Sequence, residues 1–308
     1  MALDNFKVFT LFLWPARVVS CPLRWRFVRA GSELDNAHWN RLPRRVFFRN
    51  RPAARPAPGR EALRLPFVFS RFLAWAAGLA LLPACWAVTL ALYRTVPGAF
   101  LLSPGSDGWG LTPETWALTG GAALYLLWHR LRPPEFLYTF AHEMTHLLFA
   151  LLFWKKVSRL VVAKDSGEVA MSGTNTFITL SPYFFPLLAF ISLGAGIATE
   201  WASGEPRLRL ATSFLTGAAL SFHVAMTLRT LATSQPDIQR GGRFFSWPVI
   251  YMIGALLTGG AAIAAVGGVR LLEPLWENLV RESAGAYAWS AEQVREWVRA
   301  GLAWAART

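Results

Sequence analysis

The chain reads as an all-α membrane protein: a polytopic helical bundle of about six spanning helices, with a short β-hairpin after the third. Three observations predict this. Hydrophobic residues make up 54% of the 308, and they fall in long blocks of Leu, Ala, Phe, Trp and Gly with almost no charge inside. The charges collect between the blocks. Only two cysteines occur, too few for a disulfide framework, and Cys85 sits in an apolar block as a buried small hydrophobe. About 20 consecutive apolar residues cross the hydrocarbon layer as a helix, whereas a soluble protein of this length interleaves polar residues at helical or strand spacing.

Residues 1–66 form a basic, Pro- and Arg-rich arm that cannot bury a core. Val8 to Trp14 is apolar, but Pro15 and Arg17 break it early. The sequence therefore predicts an interfacial segment over 7–20 rather than a cleavable signal peptide. The first span is expected over 67–93, and a Pro- and Gly-rich loop follows over 96–113. Thr112 caps the second span (113–129), with Pro113 in its first turn. Arg130, Arg132, Pro133 and Pro134 separate it from the third (135–154), which Lys155, Lys156 and Arg159 end. Val157 to Met171 is β-rich around an Asp165-Ser-Gly turn and reads as a hairpin. Further spans are expected over 178–201, which starts with Pro182 and Pro186, over 209–231 and over 247–268. The domains that result are the arm (1–66), two spans (67–134), a membrane core (135–268) and an amphipathic Trp-rich tail (269–308). From Ser290 to Trp304 that tail would lie on the membrane surface or cover a cytoplasmic face. No internal repeat is visible.

The net charge is +13, and residues 1–66 hold 13 Lys and Arg against four acidic residues. Positive charge beside the first span favours a cytoplasmic N-terminus and attraction to anionic lipid headgroups. No zinc-finger or glycine-rich phosphate motif accompanies it, which excludes nucleic acid as the expected partner. Six spans would put both chain ends inside, although Lys155 and Lys156 would then lie outside. An Arg-, Ala- and Trp-rich, Lys-poor composition points to a GC-rich bacterial genome, hence to the inner membrane.

The chemistry sits in Phe140-Ala-His-Glu-Met-Thr-His-Leu-Leu. His142 and His146 are four residues apart, so on a helix both rings point the same way. Two imidazoles at that spacing can bind one Zn²⁺, with Glu143 beside the activated water as general base. Ionisable residues inside an apolar helix are costly, and three within five residues share an explanation if a metal is bound. A polar cluster that glues helices is the bland alternative. Zinc needs a third protein ligand. His223 lies inside the fifth span at comparable depth, whereas Asp237 lies beyond its end and reaches the metal only if that loop folds back. Depth favours His223, with Asp237 the alternate. Asn175 is a candidate for positioning substrate or stabilising an oxyanion, or it simply caps a helix. Pro182 and Pro186 free backbone groups, tolerated where they line protein or a cavity. The hairpin could offer an edge strand to a peptide.

Over residues 135–268 the chain resembles the site-2-protease-like intramembrane zinc metallopeptidases, the M50 family. The resemblance rests on His-Glu-x-x-His in an apolar helix, the β segment straight after it, and the next helix with a Pro-containing start. It implies an endopeptidase that cuts membrane or membrane-adjacent protein segments. It also implies a later carboxylate ligand, for which Asp237 is next in chain order. The family's Leu-Asp-Gly motif is absent, so this is a divergent member. Two other readings stay open: a catalytically silent zinc-binding adaptor or chaperone, against which Glu143 counts, and a membrane zinc hydrolase acting on lipid or prenylated substrates. A transporter is disfavoured by the single ionisable cluster and the lack of repeat halves.

Overall fold

The computed structural model describes residues 67–101, 110–163, 166–205, 207–232 and 236–307. The basic arm, the interfacial segment at 7–20 and Asp165 of the hairpin turn fall outside the described residues. The helices and strands in chain order are α1 (Phe67–Phe100), α2 (Pro113–Leu131), α3 (Glu135–Leu152), β1 (Val157–Val162), β2 (Gly167–Met171), α4 (Thr176–Phe184), α5 (Leu187–Ser203), α6 (Leu208–Leu231), α7 (Pro236–Gly241), α8 (Arg243–Gly267) and α9 (Leu272–Ala305).

The expectation of about six spans is corrected. Among the described residues three helices are long and apolar enough to cross a membrane: Phe72–Phe100, Leu208–Leu231 and Arg243–Gly267. A fourth is added if α4 and α5 count together as one broken span. The reason lies in composition. α2 and α3, with 19 and 18 residues, are long enough for a span of about 17–25 residues. α3 gives up apolar positions to Glu135, His142, Glu143 and His146, and α2 to Glu114, His129 and Arg130. The expected continuous helix over 178–201 is two helices bent by 69°. Pro186 stands at the break, where it supplies no backbone donor, and Leu187 N–H turns to the Phe185 carbonyl instead.

α2 packs along α6 with the backbones in contact. A Cβ on Gly121 would run into the Phe214 carbonyl, and one on Gly217 into the Leu118 carbonyl. Glycine at both positions is what permits the approach, as in small-residue seams between membrane helices. α1 packs on α8, where the Cys85 thiol reaches the Pro248 carbonyl and Thr89 Oγ1 lies 2.7 Å from the Tyr251 hydroxyl. The 34-residue α9 runs back along α1. Asn278 Nδ2 donates to Thr95 Oγ1 at 3.0 Å, Tyr287 donates to the Ala80 carbonyl, and Arg94 pairs with Glu282 at 3.2 Å.

The hairpin is present as expected, a two-stranded antiparallel sheet in which Val162 faces Gly167 and Val157 faces Met171. It packs on α3. Asn175 caps α4, its Oδ1 accepting from Ile178 N at 2.8 Å. An apolar cluster of Leu180, Tyr183, Phe184, Ile238, Val249 and Ile250 joins α4, α7 and α8. That cluster draws the chain back into the bundle after α6 and sets the position of α7.

Candidate metal centre

His142 and His146 sit one turn apart on α3, with ring centroids 4.8 Å apart. The chain beyond α6 does not leave the bundle. Ile238, 4% exposed, is held in the α4–α8 cluster, and its neighbour Asp237 is thereby directed at the two histidines. Asp237 Oδ2 lies 3.9 Å from His142 Nε2 and 3.7 Å from His146 Nε2. One ligand atom from each of the three residues falls within 4.8 Å of the other two. The structure therefore brings His142, His146 and Asp237 together. His223, the ligand favoured on depth, is not in the group. It lines a small cavity shared with Tyr138, His142 and Thr145. Depth along straight helices placed Asp237 too far away because it left out the short α7, which folds back.

The orientation of His146 follows from a proline. In an α-helix the Ile178 carbonyl would accept from the N–H of residue 182, but that residue is Pro182 and has none. The freed carbonyl accepts from His146 Nδ1 at 2.8 Å and from Ser181 Oγ at 2.9 Å. A carbonyl can only accept, so Nδ1 carries the proton and Nε2 presents a lone pair towards Asp237. The helix that follows the hairpin thus sets the tautomer of a ligand on the helix that precedes it.

Glu143 is 8% exposed and lies against β2. A Cβ on Gly167 would come 2.5 Å from Glu143 Oε1 and 2.6 Å from its Cδ. Only glycine leaves the carboxylate its present place. Asn175 acts as the α4 cap described above. His129 lies on α2, 3.2 Å from the Tyr125 hydroxyl, and His38 falls outside the described residues.

The donor set fits zinc. Two imidazole nitrogens and one carboxylate oxygen are borderline donors that zinc accepts, and three protein ligands leave an open position for chemistry. Tetrahedral bonds of about 2.0–2.1 Å put ligand atoms roughly 3.3 Å apart, so the two His–Asp spacings of 3.9 and 3.7 Å would close by about half an ångström, while the three atoms together lie within 4.8 Å. Residues 117–234 match the Peptidase M50B-like family. That is a zinc-metallopeptidase superfamily. The M50B-like region is less than half of the chain, running from α2 through α6 and taking in His142, Glu143 and His146. It ends three residues before Asp237. No curated protein matches the chain, and no solved structure does.

Sequence reasoning did not single out Tyr138, Tyr183 or Gly167. Tyr138 carried a usable signal, since it lies one turn before His142 and so on the same face of the helix. Tyr183 stands between the two prolines of a segment already marked as irregular. Gly167 opens the second strand of the hairpin, and nothing in its local pattern points to Glu143.

Proposed function

We propose that the chain is a zinc-dependent membrane endopeptidase that hydrolyses peptide bonds in membrane or membrane-adjacent protein segments. One observation carries the reading: two Nε2 atoms from the region that matches the M50B-like family converge with the Asp237 carboxylate beside a buried glutamate, among helices long enough to span a bilayer. His142, His146 and Asp237 would hold the ion. Zinc in such a site supplies Lewis acidity, acidifying water and polarising a scissile carbonyl. Glu143 takes a proton from the attacking water on its carboxylate and returns it to the leaving amine. Its burial under Gly167 keeps that carboxylate in one place and away from bulk water. The two-stranded sheet pairs with no third strand among the described residues, and this supports an extended substrate adding along its edge.

The test uses the full chain purified in detergent. Zinc per chain is measured for wild type, Asp237→Ala, His223→Ala and Glu143→Gln, and cleavage of fluorescently labelled single-span polypeptides is assayed on the same samples. One zinc in wild type, lost in Asp237→Ala, kept in His223→Ala, and kept without cleavage in Glu143→Gln, is the expected pattern. A folded wild type that takes up no zinc sinks the reading. Zinc lost with His223 but retained without Asp237 overturns the ligand assignment.

A further inference from the structure

Backbone fixes His146, whereas two tyrosine hydroxyls touch the other two ligands. Tyr138 lies one turn before His142, and its hydroxyl is 3.5 Å from His142 Nδ1. The same hydroxyl bonds to Thr230 Oγ1 on α6. Thr230 donates its own proton to the Met226 carbonyl at 2.8 Å. The direction of the chain follows. A carbonyl only accepts, so Thr230 has spent its proton and its oxygen accepts from Tyr138. The Tyr138 oxygen then accepts from His142 Nδ1–H, and His142 Nε2 keeps the lone pair that faces Asp237.

On the other side Tyr183 is 2% exposed, and its hydroxyl donates to Asp237 Oδ2 at 3.4 Å. Its ring stands edge-on to the His142 ring at 5.6 Å between centroids. Tyr183 lies in the last turn of α4, where the break diverts Leu187 N–H away from its carbonyl. Tyr183 is held by the apolar cluster that joins α4, α7 and α8. Tyr138 is tied to α6 through Thr230.

We propose that Tyr138 and Tyr183 are positioning residues of the metal centre: the first anchored on Thr230 of α6 and the second in the α4–α8 cluster, their hydroxyls hold His142 in the tautomer, and Asp237 in the orientation, that face a divalent cation. The inference rests on the metal-site reading above. Partners of metal ligands that fix tautomer and orientation typically contribute 10- to 100-fold in affinity.

Zinc affinity of the full-length protein is measured by competition with a chromophoric chelator, together with the visible absorption of the Co²⁺-loaded form. Tyr138→Phe and Tyr183→Phe each remove one oxygen, and each is expected to weaken zinc by about tenfold or more and to shift the Co²⁺ bands. Melting of the metal-free protein should stay as in wild type. Thr230→Val should act in the same direction as Tyr138→Phe and add nothing to it in the double variant, because its influence passes through Tyr138. Thr230→Ser should restore wild-type affinity. Thr230 does not touch a ligand, so it carries the test should a tyrosine variant fail to fold. Tyrosine variants that bind zinc within about threefold of a zinc-binding wild type overturn this inference alone. Additive loss in the double variant does so too. A wild type without zinc overturns it together with the reading it rests on.

Discussion

Pro182→Ala should move stability and metal affinity in opposite directions. The substitution returns one N–H to α4, and its helical target is the Ile178 carbonyl. That oxygen has two lone pairs, already used by His146 Nδ1 at 2.8 Å and Ser181 Oγ at 2.9 Å. A third donor aligned by the helix itself displaces one of them, and the side chain reaching across from α3 is the less constrained. Loss of that bond frees the His146 ring and should weaken zinc about 10- to 100-fold, or roughly 1.4–2.7 kcal/mol. The helix meanwhile regains up to about 3 kcal/mol in propensity, reduced by the packing lost when a buried ring is truncated. Chelator competition measures the first quantity, and thermal unfolding of the metal-free protein the second. A packing defect alone would lower the melting point without a selective loss of zinc. Wild-type zinc affinity in a folded Pro182→Ala protein would refute the reasoning.

Gly167→Ala should reduce cleavage about 100-fold with zinc retained, since the new methyl forces the Glu143 carboxylate to shift by about 1 Å; turnover and zinc content on one sample decide it. Gly217→Val drives a branched side chain into the Leu118 backbone, and should destabilise the α2–α6 seam by at least about 1–3 kcal/mol, read as a lower melting point in detergent. Chelation should lower the melting point of wild type, because zinc at 100 times its Kd stabilises the folded state by about 2.7 kcal/mol. Asp237→Ala should melt at the same temperature with and without chelator.

The metal pair was legible because a helix makes it a local matter: four residues of spacing place His142 and His146 on one face wherever α3 goes. The hairpin was legible for a similar reason, as its β-branched strands flank a turn. The third member of the candidate metal cluster was legible only as the alternate that chain order offered, since Asp237 reaches the site through Ile238, whose burial depends on side chains from α4 and α8. The count of spans failed on composition. α3 gives six of its 18 residues to Glu135, Thr139, His142, Glu143, Thr145 and His146, so its sequence looks like a span only if those residues are discounted. Pro182 and Pro186 were visible as breakers, and counting four residues back from Pro182 already marks Ile178 as the freed carbonyl. Which side chain takes it depends on how α3 and α4 pack.

The clasp between α1 and α9 has a consequence for biogenesis. During synthesis α1 emerges ahead of every other described helix, yet its neighbours are α8 and α9, the last two of the described helices in chain order. Until those arrive, Thr95 and Arg94 wait without Asn278 and Glu282 on a helix whose exposed surface is mostly apolar, Phe72, Trp75, Trp86 and Tyr93 among it. Closure of the bundle is therefore a late event, with long-range contacts that cannot form on the growing chain. A product truncated before residue 272 would carry His142, His146 and Asp237 of the candidate metal centre and still expose the face of α1 that α9 covers. Such a molecule would display its incompleteness to membrane quality-control proteases, even though those three residues had already been translated.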